Sequence, residues 1–524
     1  MSATGTAEPI EPDATLADII AVCAGALGAL MATLDISIVN SALPQIQGEI
    51  GASGTEGTWI GTGYLISEVV MIPLAAWLTR VFGLRNFLLG CAGIFTLFSI
   101  LCGAAHTLPE MIIGRVGQGF TGGALIPTAQ MIVATRLNRR QMPVGMTVFG
   151  FIILLGPIIG PILGGWLSVN VSWRWCFFIN VPVFFLLVGL LFLGVTHRKI
   201  EWNKLINADW GGIIGMTVGL SCFTCLLEEG QRERWFESPL IIYLAVAAFL
   251  GFAMLLYTQM TVAEPIVKFR LMLNRSYASV IIIVVAFGAA MYGVLYILPQ
   301  FLSLVARYNA LQSGQVLLLS SIPAILVMPL LYILLQQMGI RAMTALGLSL
   351  MAVSCFLDTN LTTASSGSDF IWSQLLRGAG QMFAMMPLNQ ASMGAVTKDE
   401  MADAAGLYNM ARNLGGSIGL ACIGVFVDRG IAWHSAVLRE AVSANSSLAQ
   451  AQVTANAAGL ATQTGDFQYS WTQALAQLAA QIQSQALVIT YNECFFALGI
   501  TLLVCIPLVF LLKNTDGQPP TMGH

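Results

Sequence analysis

Leu34-Asp35-Ile36-Ser37-Ile38-Val39-Asn40-Ser41-Ala42-Leu43-Pro44 sets a carboxylate inside the first long apolar stretch of the chain. An ionisable group there is expensive in hydrocarbon, so one that is kept is a functional candidate by default. The composition agrees with that setting: of 524 residues, 56% are hydrophobic and 9% charged, whereas a soluble surface needs roughly 25–35% charged residues. The chain is therefore an all-α polytopic membrane protein. Apolar runs of about 20 residues, the length that crosses a hydrocarbon core of about 30 Å, recur with short charged breaks. They fall at 16–39, 58–78, 86–106, 109–134, 141–168, 175–195, 209–227, 239–258, 277–302, 313–336, 342–357, 370–391, 404–427 and 486–512. That pattern predicts about fourteen transmembrane helices.

The opening stretch resembles the first-helix signature of the fourteen-helix drug:proton antiporters of the major facilitator superfamily, L-D-x-T-I-V-N-V-A-L-P, with Ser37 and Ser41 where that pattern has Thr and Val. In the fifth span, Gly156-Pro157-Ile158-Ile159-Gly160-Pro161-Ile162-Leu163-Gly164-Gly165 is similar to the superfamily's antiporter signature G-P-x-x-G-G. Small residues let helix backbones approach and Pro removes a ladder hydrogen bond, so the run reads alone as a packing face and beside the first-helix phrase as a hinge. Arg115, in Gly114-Arg115-Val116-Gly117-Gln118-Gly119, resembles the fourth-helix motif R-x-x-Q-G. An Arg inside a span needs a partner or a water-filled cavity, with Asp35 a candidate partner or proton-linked counterpart, unless it snorkels to lipid phosphate. Glu68, near the middle of the second span, is either a protonated carboxyl hydrogen-bonded to the neighbouring bundle or a second proton site or contact for a cationic substrate. The loop after that span departs from the superfamily's G-x-x-x-D-R-x-G-R-R, because Arg80 replaces the acid while Gly83 and Arg85 remain. The usual charge relay of that loop is therefore in question.

A weak repeat supports two halves. Gln118-Gly119, Pro127 and Gln130 in the fourth span parallel Arg377-Gly378, Pro387 and Gln390 in the twelfth, and the thirteenth carries Gly415-Gly416-Ser417-Ile418-Gly419. The resemblance implies a major facilitator fold of two six-helix bundles, 16–200 and 266–512, flanking two inserted central helices within 201–265, with short tails at 1–15 and 513–524. Gln118, Gln130, Gln390 and Glu493 are candidates for the substrate cavity. The positive-inside rule is met if Arg80, Arg85, Arg136, Arg139, Arg140, Arg198, Lys199, Lys204, Lys268, Arg270, Arg275, Arg341, Lys398 and Lys513 lie inside and Arg174, Arg232, Arg234, Arg307, Arg429 and Arg439 outside. Both termini are then cytoplasmic, and the acidic N-terminal stretch, lacking a positive n-region, is not a cleaved signal peptide.

The one sizeable polar tract, 429–485, is rich in Ala and Gln and falls outside in this topology; it predicts a short helical hairpin or a solvated loop. With Trp173-Arg174-Trp175-Cys176-Phe177-Phe178-Ile179-Asn180-Val181-Pro182 and Val488-Ile489-Thr490-Tyr491-Asn492-Glu493, it makes nearly the whole chain similar to EmrB-type pumps of bacterial inner membranes. That resemblance implies proton-driven efflux of hydrophobic drugs or toxicants, a periplasmic adaptor of the EmrA type and a TolC-like outer-membrane channel.

Other classes fare worse. Most cysteines fall within spans, where thiols behave as small apolar groups, and Cys222-x-x-Cys225 has no second pair or neighbouring His to complete a metal site. No phosphate-binding loop motif supports a primary pump, and no nucleophile with an adjacent base supports an enzyme. No cofactor is expected. Within transporters the alternative is a proton-coupled importer of an organic solute.

Overall fold

The computed structural model describes residues 13–53, 56–138, 141–262, 265–442, 446–464 and 466–512. Most of the first tail, all of the second, and Arg139, Arg140 and Lys513 lie outside the described residues. The first six spans are α1 (Leu16–Ile50), α2 (Trp59–Phe82), α3 (Leu84–Ala104), a fourth made of α4 (Leu108–Gly122) and α5 (Leu125–Arg136), α6 (Met142–Asn170), and a sixth made of α7 (Trp175–Phe178) and α8 (Asn180–Gly194). A short α9 (Trp202–Ile206) leads to the inserted pair, α10 (Trp210–Glu229) and α11 (Pro239–Thr261). The second bundle contains α12 (Arg275–Leu304), α13 (Ala310–Leu318), α14 (Ser321–Leu357), α15 (Ile371–Gly394) and α16 (Met401–Ala441), followed by α17 (Ser447–Thr464) and α18 (Phe467–Val509).

Among the described residues, eleven helical stretches are individually long and apolar enough to cross a membrane. The other three expected spans fall short for visible reasons. The fourth is broken at Gly123, where a side chain would meet the Glu68 carbonyl oxygen at 2.5 Å, and α4 carries Arg115. The tenth is only a shorter apolar stretch, Gln312–Met328, and α15 is polar along its inward face, with Gln374, Arg377 and Asn389 all buried. The tenth and eleventh spans run together as α14, divided where Gly339 takes φ 74°, a conformation that costs Gly least.

Three features position the site. In the first bundle, α1 lies against α5, α6 and α8, so its polar face is enclosed by the bundle's own helices. The inserted pair is held together by glycines: a side chain at Gly215 would sit 2.8 Å from the Gly251 carbonyl, and one at Gly251 would sit 2.7 Å from the Gly219 Cα. From there α10 packs against both α2 and α16, which makes it a strut between the bundles. Finally, α16 and α18 have 41 and 43 residues, roughly 60 Å at about 1.5 Å per residue, twice the hydrocarbon thickness of about 30 Å. The polar tract is thus not a separate cover. Its two long helices run uninterrupted out of the bundle, and α17 packs onto α18 through Val453, Ala457 and Ala474, with Leu460, Trp471 and Leu478 around them.

Candidate functional site

Asp35 is 1% exposed, and among the described residues every hydrogen-bond partner of its carboxylate is a donor. Arg115 Nη1 donates to Oδ2 at 2.5 Å, while Gln118 Nε2 and Asn180 Nδ2 both donate to Oδ1 at 2.9 Å. Three donors and no acceptor form the shell an ionised carboxylate takes. The donors are themselves fixed. Arg115 Nε donates to the Ile60 carbonyl at 3.1 Å, its Nη1 also reaches Gln118 Oε1 at 3.1 Å, and its guanidinium lies 4.4 Å from the Tyr64 ring centroid. Asn180 donates to Ser99 Oγ at 2.9 Å, and Ser99 donates to the Phe177 carbonyl at 2.8 Å. Arg115 and Gln118 sit three apart on α4, the spacing that brings side chains onto one helical face. Arg115 is only 1% exposed, so it is a buried partner of Asp35 and does not snorkel.

The glycine-proline run of α6 packs on the same segment of α1. Side chains at Gly156, Gly160 and Gly164 would stand 2.9 Å from the Leu34 nitrogen, 3.1 Å from the Ile38 nitrogen and 2.5 Å from the Ile38 carbonyl oxygen. The four-residue spacing keeps these three on one face, and Pro157 and Pro161 lie on the exposed side. Gly165 has open space beyond it, so the close contact rests on the other three glycines. The run therefore fixes the backbone that carries Asp35.

Glu68 is 4% exposed on α2, apart from the Asp35 shell, and the charges acting on its carboxylate include Arg412 of α16 and Arg115. Gln130 is fully buried at the seam between the bundles, where its Oε1 accepts from Asn409 Nδ2 at 2.6 Å. Gln118 belongs to the Asp35 shell. Gln390 is half-buried on α15, and Glu493 is exposed, its Oε2 3.0 Å from His434 Nε2. The structure therefore joins Asp35, Arg115 and Gln118 in one cluster and leaves Gln130, Gln390 and Glu493 elsewhere.

Arg80, the residue that departs from the loop pattern, finds its acid in the other bundle. Its Nη1 lies 2.9 and 3.0 Å from the two oxygens of Asp403, and Lys268 reaches the same carboxylate at 2.9 Å. The charge contact is thus moved across the seam. A second buried pair, Arg377 Nη2 to Asp358 Oδ2 at 2.6 Å, lies in the second bundle. Asp403, Arg412, Asp358 and Asn180 were not singled out from the sequence. A census of every charge in or next to an apolar run yields the first three, whereas Asn180 stands inside a quoted motif with nothing to mark its bond to Asp35.

The family model described as Major Facilitator Superfamily matches residues 25–420. The colistin resistance protein EmrB of Acinetobacter baumannii is 29% identical over 91% of this chain and 93% of its own length. The multidrug export protein EmrB of Escherichia coli K12 is 28% identical over 95% of this chain and 96% of its own. Among solved structures, the human organic anion transporter MFSD10 (TETRAN) superposes with a TM-score of 0.61 at 13% identity, covering 93% of this chain and 99% of that one; at that identity the likeness concerns the fold alone. With a match across most of its length and a fold of the same kind, the chain belongs to the Major Facilitator Superfamily.

Proposed function

We propose that this protein exports hydrophobic drugs or toxicants across the inner membrane in exchange for protons, with Asp35 as the proton-carrying group. The observation that carries the reading is the donor shell around Asp35, a carboxylate buried in a span and tied to a buried Arg. Protonation of Asp35 removes the charge that balances Arg115, and a buried charge left without its partner costs about 3–5 kcal/mol. That is enough to reposition α1 and α4 against their neighbours. Efflux as the direction is supported by the relatives, which are named for colistin resistance and multidrug export.

In this reading, residues 16–200 and 266–512 are the two rocking bundles, 201–265 supplies the inserted pair, and both termini are cytoplasmic. The end bearing Arg80, Lys268 and Arg136 is then the cytoplasmic one, and the extension from 429 to 485 lies in the periplasm. Its polar helical surface there suits an adaptor of the EmrA type leading to a TolC-like channel. The protein acts as a transporter and not as an enzyme. Proteoliposomes with an imposed pH gradient and a lipophilic dye test the reading: dye moves against the proton gradient if it is right. Movement of dye and protons in the same direction would make the protein an importer.

A further inference from the structure

Glu68 and Arg412 stand on either side of the seam between the bundles, and neither makes an ion pair or a side-chain hydrogen bond among the described residues. Glu68 is 4% exposed and Arg412 is 9% exposed, and the Arg412 Nε is buried with no acceptor. A buried charge without a touching partner is costly, so two opposite charges left apart at this depth call for a reason. The register of the seam brings them to nearby levels, because Gly406 of α16 packs at Ile72 and Pro73 of α2, with Glu68 about one turn from that contact and Arg412 between one and two turns from it. Their surroundings supply the reason.

Glu68 lies on α2, which packs both on α4, the helix of Arg115, and on α16, the helix of Arg412, and both guanidinium groups act on its carboxylate. Only one of the two is already engaged: Arg115 is bound to Asp35. One face of α2 meets Arg115 in sequence, with the Ile60 carbonyl accepting from Nε, the Tyr64 ring under the guanidinium and, four residues on, Glu68. On the far side of the seam, the Tyr292 ring of α12 packs at Gly416 of α16, about one turn on from Arg412. Glu228 of α10 already accepts from Ser417 at 3.2 Å. Glu68 is therefore the carboxylate that remains uncommitted between the two arginines.

We propose that Glu68 relays the protonation state of Asp35 to the second bundle by exchanging its attraction between Arg115 and Arg412. With Asp35 ionised, Arg115 is occupied, as in this structure, and Glu68 attracts Arg412 across the seam without touching it. With Asp35 protonated, Arg115 turns to Glu68 and the hold on Arg412 lapses, so that the bundles are free to part. Glu68 and Arg412 are positioning residues here, acting through Arg115 and not on the substrate. The inference rests on Asp35 being the proton site.

The test uses the full chain in proteoliposomes and two assays: dye efflux driven by a pH gradient, and dye counterflow with no gradient, which needs reorientation but no net proton movement. Glu68→Gln and Arg412→Gln should each lower driven efflux by roughly tenfold, the effect of losing about one pK unit of charge coupling. Counterflow should stay within about twofold, the pH dependence of the driven rate should flatten, and the double variant should be no worse than either single one, as groups acting in one contact are non-additive. Arg412→Lys, which keeps the charge, should restore much of the driven rate. Equal loss of driven efflux and counterflow, fully additive losses, or an unchanged Glu68→Gln would overturn the relay. A wild-type protein with counterflow but no response to a pH gradient would overturn the proton-site reading itself, and the relay with it.

Discussion

Adding one methyl group at Gly160 probes the contact that holds the Asp35 helix. The added carbon would be 3.1 Å from the Ile38 nitrogen and 3.0 Å from the Ser37 hydroxyl oxygen, and closer still to the Ser37 Cβ, whereas ordinary contacts lie at 3.4–4 Å. The obstruction is mostly α1 itself, with no long flexible side chain to swing aside, so α6 and α1 must separate by several tenths of an ångström or more. Overpacking of this kind costs about 1–3 kcal/mol. If the strain falls on the conformation in which α1 and α6 are closest, it shifts the balance between transport states by roughly 5–150-fold, at about 1.4 kcal/mol per tenfold. Gly160→Ala should therefore lower proton-driven dye efflux per reconstituted molecule at least about fivefold. Gly165→Ala is the control, because that position faces open space and should transport as the wild type does. Equal activity in the two variants would refute the argument that this run fixes the proton-site helix. So would a loss at Gly160 fully accounted for by reduced membrane abundance.

Two other consequences follow from the geometry. Asp403→Asn removes the shared acid of Arg80 and Lys268; because Arg80 is 34% exposed, solvent screening leaves only about 1 kcal/mol at stake. The expected result is faster hydrogen exchange in the first turns of α16, by about fivefold at that energy, and unchanged exchange there would mean the pair does not hold the seam. Replacing most of 429–485 with a short flexible linker should leave transport in proteoliposomes largely intact and abolish drug resistance in cells. Loss of transport by the purified variant would put the extension inside the transport cycle instead.

Much of this architecture was readable in the chain, and the limits have physical causes. Bilayer thickness fixes span length, so apolar runs were enough to mark a polytopic helical protein, eleven of whose described helices are long and apolar enough to span. The break at Gly123 escaped notice because it depends on the approach of α2, a partner distant in sequence. For the same reason the pattern placed the thirteenth span at 404–427, although its helix runs from Met401 to Ala441: hydropathy marks where lipid ends, not where a helix does. Within the site, Asp35 and Arg115 announced themselves as charges in apolar surroundings, and the structure brings them into contact. Asn180 did not, since a neutral amide carries no comparable cost and its value lies in bonds to Asp35 and Ser99. Arg80 was legible as a departure, but the acid that answers it, Asp403, is more than three hundred residues away.

The most direct measurement is proton release from the purified protein on substrate binding, read with a pH-sensitive dye in weakly buffered solution, for the wild type and Asp35→Asn. The Asn side chain keeps the size of the Asp and can still accept from Gln118 and Asn180, but it cannot carry a proton between the two faces. The account predicts that substrate displaces protons from the wild type, that Asp35→Asn releases none, and that this variant still binds substrate while losing gradient-driven efflux. Undiminished proton release and driven efflux from Asp35→Asn would contradict it.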